Sequence, residues 1–278
     1  MTWYAHLDRT ELRLALAAPA PALGWVSHWT TVAGVPTHHR ERSGVPDTLP
    51  VVAVHGLAVS HRYLMPTAHA LADRHPVLLP DLPGFGLSGK PAMAYDVRRH
   101  AAHLAAWLDL RDTGPVCLFG HSFGAEIAAA LAATRPDLVA ALVLGGPTSD
   151  PTARSRRALI ARWCTDLVAE DPRQALILAR DIRDARPWRV WSTLGHSVRN
   201  AIEQDLLRVG VPTLVICGSR DPVAPRAWRA AAARVAGGSV VRVPGAAHNV
   251  ATTAARQVAD AVAGLLAGTA AKSGAAAA

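Results

Sequence analysis

The sequence predicts an α/β fold in which a mostly parallel sheet is covered by helices on both faces. From Val51 to Gly145, short β-branched apolar runs alternate with alanine-rich segments of helical period, and the same rhythm returns at Pro212. Half of the 278 residues are hydrophobic, enough for one large core with a sizeable insertion.

The elements follow in order. Residues 25–42, WVSHWTTVAGVPTHHRER, hold two alternating polar and apolar runs around Gly34, which suits an antiparallel hairpin. VVAVH then precedes a helical stretch over 60–74, HPVLLP one over 95–111, and PVCLFG one over 123–135, before the apolar run LVAALVLG. After Gly146 the rhythm breaks, and Leu159, Ile160, Trp163 and Leu167 recur at helical spacing. Residues 147–211 therefore read as a helical cap inserted into a core made of 1–146 and 212–278. PTLVICG, SVVRVPG and a helix near 249–267 close the domain, and the tail AKSGAAAA has the composition of a disordered segment.

Composition narrows the function classes. The formal charge is +8, but Lys90 and Lys272 are the only lysines, and the arginines are scattered among Asp and Glu. No basic run carries interleaved aromatics, which disfavours nucleic acid as a partner. Three separated cysteines, Cys117, Cys164 and Cys217, give neither a disulfide framework nor a zinc knuckle. The apolar run in the first twenty residues is short for a signal peptide and follows Asp8 and Glu11, and no stretch approaches the ~20 apolar residues of a membrane span. A cytoplasmic protein is expected.

GHSFG at 120–124 is the most specific chemical signal, because it lies between an apolar strand and an alanine-rich helix. A serine on such a turn projects its hydroxyl above the sheet and needs a base, which in turn needs an orienting acid. His248 in VPGAAHNV and Asp221 in CGSRDPVAP each follow a late strand, where loops gather at the carboxyl edge of the sheet. The order Ser122, Asp221, His248 is that of the α/β form of the triad. His121 adjoins the serine and is expected to be structural or to line the floor of the site. Asp150 is the next candidate for the acid.

Two further patterns are weaker. DLPGFGLSGK contains the GxGxxG spacing at Gly84, Gly86 and Gly89, but Lys90-Pro91 follows where a phosphate-binding helix would have to start. His100 and His103 have HxxH spacing without a third metal ligand, and are expected at the surface or in a groove.

Taken together, GHSFG, CGSRDPVAP, PGAAHNV, His55-Gly56 and DLPGFGLSG resemble the α/β-hydrolase superfamily with a serine nucleophile, over Trp25 to about Leu266. The resemblance implies an eight-stranded sheet, a helical cap over 147–211, and backbone amides of Leu57 and Phe123 as the oxyanion hole. It also implies that the glycine loop serves tight turns rather than a phosphate. Phe123 after the serine departs from the Met usual in cofactor-free haloperoxidases, and Ser122 from the Asp of haloalkane dehalogenases and epoxide hydrolases. Hydrolysis of an ester, thioester or related acyl bond is then the expected reaction, with no cofactor or metal implied. Carbon-carbon bond hydrolysis and a non-hydrolytic receptor or cyclase are the alternatives within the fold. Trp163, Trp188 and Trp191 are candidates to line an apolar substrate pocket under the cap.

Overall fold

The alternation read from the sequence is realised as one eight-stranded sheet in the computed structural model, which describes residues 9–277. Met1–Asp8, part of the amino-terminal stretch considered above, lie outside the described residues. The strands are β1 (Val26–Val32), β2 (Val35–Arg42), β3 (Val51–Val54), β4 (Val77–Pro80), β5 (Val116–His121), β6 (Val139–Gly145), β7 (Thr213–Gly218) and β8 (Ser239–Val243), in the order β1-β2-β4-β3-β5-β6-β7-β8. β1 and β2 form the predicted hairpin, and β2 pairs antiparallel with β4, while all other pairs are parallel. The hairpin turn puts Ala33 and Gly34 at φ 47° and 78°, the two positive values that a two-residue turn needs to match strand twist.

Helices cover both faces. On one side lie α1 (Arg9–Ala17), α2 (His61–Leu71), α10 (Val250–Thr253) and α11 (Ala255–Ala277); on the other lie α3 (Val97–Arg111), α4 (Phe123–Thr134) and α9 (Arg226–Val235). β3, β4, β5 and β7 are consequently buried along their whole length, which explains their continuous rather than alternating apolar sequence. α4 is buried from Phe123 to Ala132, and its alanines let it approach the sheet closely. The predicted disordered tail is instead part of α11, which runs through Ala277; alanine is the strongest helix former, and the run carries no proline.

Between β6 and β7 the chain has no strand. It carries α5 (Arg156–Leu167), α6 (Ala175–Ala185), α7 (Pro187–Ser197) and α8 (Ile202–Leu206). Buried polar contacts tie this insert to the core. Arg62 of α2 pairs with Asp181 of α6, whose carboxylate also accepts from Ser60 Oγ at 2.9 and 3.0 Å. Glu126 of α4 accepts from Thr148, Ser197 and Asn200, at the two ends of the insert, and burial pushes its carboxyl up to about 7. Among the described residues no helix is long and apolar enough to cross a membrane.

Parallel register sets the carboxyl ends of β3, β5 and β6 level, with Val54 opposite Gly120 and His121 opposite Gly145. The loops that leave these ends converge below the insert. That edge is where open parallel sheets place their sites.

Candidate active site

Ser122 stands at the end of β5, where the chain turns into α4. Its φ and ψ of 57° and −121° lie outside the regions that L-residues favour, and such strain persists only where the surroundings impose it. Here packing imposes it. A Cβ on Gly120 would fall 2.2 Å from the carbonyl oxygen of Gly124, and one on Gly124 would fall 2.3 Å from that of Val54. The amide of Ser122 donates to the Gly145 carbonyl at 2.7 Å and fixes the turn.

The loop after β8 brings His248 to this turn, and the loop after β7 brings Asp221. His248 Nε2 lies 3.0 Å from Ser122 Oγ, and Nδ1 lies 3.1 Å from Asp221 Oδ2. Asp221 is itself held, since Oδ1 accepts from the amides of Val223 and Ala224 at 2.8 and 3.0 Å. A hydroxyl beside one imidazole nitrogen, with a carboxylate on the other, is the arrangement by which serine can give up its proton.

A second chain of hydrogen bonds runs beneath the first. Gly56 N–H donates to Tyr63 Oη at 2.9 Å, and Tyr63 Oη lies 2.7 Å from His121 Nδ1. His121 Nε2 lies 3.0 Å from the carbonyl oxygen of His248 and is its donor. His121 is neutral in this role, and burial, then the neighbouring His248, push it down to about 3. Leu82 N–H donates to His55 Nε2 at 2.9 Å, so His55 Nδ1 carries the proton and donates to the Gly56 carbonyl at 2.8 Å. These bonds fix the turn carrying Leu57. The amide of Phe123, first residue of α4, is among those a helix leaves without an intrahelical partner.

Burial opposes the charged form of His248, but Asp221, and then Asp166 and Glu170 of the insert, outweigh it and raise the imidazole to about 9. Asp221 shows the converse balance: burial favours its neutral form, and His248 with the two amides holds it below the usual carboxylate range. The surroundings thus stabilise the imidazolium form that His248 adopts once it has taken a proton.

Ser122 opens onto a cavity of about 220 Å³ that is lined by Leu57, Ala58, Trp163, Leu178, Ile182 and Val190 among others, with His248 and Asp166 at its polar end. A second cavity of about 180 Å³ adjoins it through shared residues Val59, Tyr63, Leu167, Leu178 and Asn249, and adds Glu170 and Asp171. Neither cavity has a lysine or arginine in its lining.

The family model of the alpha/beta hydrolase family matches residues 51–261. The chain belongs to that family. Lipase LipV of Mycobacterium tuberculosis is 41% identical over 109 residues, which cover 39% of this chain and 41% of the lipase. A haloalkane dehalogenase of Psychrobacter cryohalolentis is 35% identical over 40% of this chain and 39% of its own length. The matches thus span about two fifths of each of these curated relatives. Among solved structures, a thermophilic esterase from Thermogutta terrifontis has a TM-score of 0.73 at 24% identity, covering 87% of this chain and 98% of the esterase. A membrane phospholipase A has a TM-score of 0.76 at 22% identity, with 93% and 88% covered. Both share the fold.

Within this member of the alpha/beta hydrolase family, the structure brings Ser122, His248 and Asp221 together, with Leu57, His121 and Trp163 at the cavity. Trp188 and Trp191 are not there. They are 47% and 55% exposed on the outside of α7, each under an arginine, with Arg189 over Trp188 at 4.6 Å and Arg156 over Trp191 at 4.8 Å. Helical periodicity had given these tryptophans no facing direction, because cation-π partners on the outside satisfy them as well as a pocket would. His100 and His103 are buried, against the expectation of a place at the surface or in a groove: His100 packs edge-on to Phe123, and His103 Nε2 lies 2.8 Å from Thr37 Oγ1. Burial holds both mostly neutral, so they pack as aromatics.

Asp150 is committed elsewhere, to Thr152 and to Arg162 at 2.8 Å. Lys90 donates to the carbonyls of Phe85, Gly86 and Ser88 at 2.8–3.0 Å, so the glycine loop presents acceptors to a cation, the opposite polarity to a phosphate cradle. Sequence reasoning missed Tyr63, Asp166 and Glu170. No local pattern singled out Asp166 and Glu170, because α5 ends at Leu167 and Glu170 lies beyond it.

Proposed function

We propose that the protein is a serine hydrolase that cleaves an ester, thioester or related acyl bond of a small apolar substrate. The observation that carries this reading is the chain from Ser122 Oγ to His248 to Asp221, at 3.0 and 3.1 Å, on a strained turn facing the cavity. His248 Nε2 would take the hydroxyl proton as Ser122 Oγ attacks the acyl carbon. The amides of Leu57 and Phe123 would receive the charge that forms on the carbonyl oxygen. The protonated His248 would then give its proton to the leaving alkoxide or thiolate as the old bond breaks. Water, losing a proton to the same nitrogen, would open the acyl-serine and restore the hydroxyl.

The insert over 147–211 acts in this reading as a cap whose Trp163, Leu178, Ile182 and Val190 receive the acyl chain. The absence of lysine and arginine from the lining, with carboxylates at the polar end, favours neutral acyl groups over anionic ones. Dehalogenation like that of the Psychrobacter relative does not suit Ser122: displacement of a halide by a hydroxyl would leave an alkyl ether, which water does not open as it opens an acyl or carboxylate ester.

The test is intact mass after exposure to a fluorophosphonate ester. A single adduct on the wild type and none on Ser122→Ala is expected; a folded wild type that forms no adduct would overturn the reading.

A further inference from the structure

The loop that carries His248, Pro244–Asn249, has little regular structure of its own, and the groups that fix its backbone come from two directions. From the core, His121 holds the carbonyl oxygen of His248 at 3.0 Å. From the insert, Asp166 in the last turn of α5 accepts the amide of His248 itself, through Oδ1 at 2.9 Å. Four residues on, Glu170 Oε1 accepts the amide of Asn249 at 2.6 Å, and its other oxygen accepts from Gln174 Nε2 at 2.9 Å. Gln174 Oε1 in turn accepts from the Asn249 side chain at 3.0 Å. Both peptide N–H groups at the base therefore end on carboxylates of the insert.

We propose that Asp166, braced by Glu170, is a positioning residue for His248, so that the base is aligned with Ser122 only while the insert is seated on its loop. The proposal rests on the serine-hydrolase reading for its consequence in rate, and on geometry alone for the contact. Asp166 reaches His248 through the backbone rather than through substrate, and its buried carboxylate also faces the imidazole. The charged or titratable groups around that imidazole are Asp221 from the loop after β7, Asp166 and Glu170 from the insert, and His121 from β5. Two of these three acids belong to the insert; burial raises Asp166, and burial with the neighbouring Asp166 raises Glu170 to about 7, so the pair holds a negative charge chiefly on Asp166. Imidazolium, which forms as His248 takes the serine proton, is thus stabilised partly by a segment outside the sheet. Lifting the insert would remove the amide acceptor and that charge together.

Two substitutions separate the effects. Asp166→Asn keeps a carbonyl oxygen for the His248 amide and removes the charge; Asp166→Ala removes both. The imidazole of His248, titrated by NMR in the full chain, is expected to move down by about one pKa unit in Asp166→Asn. The acidic limb of kcat/KM on a neutral ester should move with it. Asp166→Ala is expected to lose a further ten- to hundredfold in kcat with a smaller change in KM, since a misplaced base costs rate at about that scale. An unmoved His248 titration in Asp166→Asn, with Asp166→Ala no slower than Asp166→Asn, would overturn the proposal.

Should the Asp166 variants fail to fold, Glu170→Gln decides by the same titration: a shift of the His248 midpoint in either direction supports the proposal and no shift overturns it. The titration needs no turnover. A wild type that fluorophosphonate does not label would therefore end the hydrolase reading and still leave the positioning claim to be judged by the His248 titration.

Discussion

Two buried carboxylates of this chain hold histidines, and they do opposite things. Asp81, after β4, receives His38 Nδ1 at 2.8 Å, His61 Nδ1 at 2.9 Å, and the amides of His61 and Leu87 at 2.8 and 2.9 Å. Its oxygens are committed to N–H donors even though the trio has the spacing of a metal site. Asp221 meets one histidine, and the far nitrogen of that histidine faces a serine hydroxyl at the wall of a cavity. The electrostatics diverge accordingly. Burial wins at His61, which is pushed down to about 4, whereas three carboxylates overcome burial at His248 and lift it to about 9. A histidine-aspartate contact is thus not itself a sign of chemistry; what sets Asp221 apart is that its histidine meets a serine hydroxyl at a cavity wall.

The comparison breaks first at the site proposed to be active. Ser122→Ala and His248→Ala should each reduce kcat on a small neutral ester by about five to six orders of magnitude, read from initial rates. Asp221→Asn should cost about 10⁴ in kcat while circular dichroism shows the fold retained, because the variant side chain still offers an oxygen to the amides of Val223 and Ala224. The corresponding change at the other carboxylate, Asp81→Asn, should appear in denaturant unfolding as a loss of about 2–3 kcal/mol, the scale for losing hydrogen bonds to a buried charged acceptor. Equal effects of the two Asp→Asn changes on rate and on stability would erase the distinction.

How much of this was legible in the sequence follows from where the information lies. Ser122, Asp221 and His248 were readable because each sits within a few residues of a strand end, and strand ends are set by local pattern. The same holds for the glycine loop, whose Lys90-Pro91 spoke against a phosphate, while Leu57 came only from the family resemblance. Asp166 and Glu170 were not readable, since helical periodicity in the insert says which residues share a face and not what that face meets. Trp188 and Trp191 failed for that reason. His100 and His103 failed for another: polarity suggested the surface, but a neutral imidazole beside Phe123 packs as an aromatic.

The sharper form of the comparison is in pH. His61 binds its proton near 4 in the folded chain and near 6.5 when unfolded, so between those values the unfolded state holds more protons. Its contribution is therefore complete above pH 6.5 and is lost as pH falls toward 4, by about 3 kcal/mol at most. Urea midpoints measured across that window should fall with acid in the wild type, and the slope should flatten in His61→Gln. An unchanged slope would mean that His61 does not carry the neutral imidazole of the Asp81 network.

The smallest effect concerns the cavity that distinguishes the two carboxylate sites. A substrate that ends in a carboxylate must bring its charge toward Asp166 and Glu170, with no lysine or arginine in the lining to receive it. A penalty of about 1.4 kcal/mol corresponds to tenfold in kcat/KM, so esters with a carboxylate at the acyl terminus should be at least about tenfold poorer than neutral esters of equal length. Raising the salt concentration should narrow that gap only slightly, because buried charges such as that of Asp166 are screened far less than surface ones. Asp166→Asn should narrow it more. A gap that salt abolishes and Asp166→Asn leaves intact would place the discrimination on exposed carboxylates outside the cavity, and Asp166 and Glu170 would then serve the His248 loop alone.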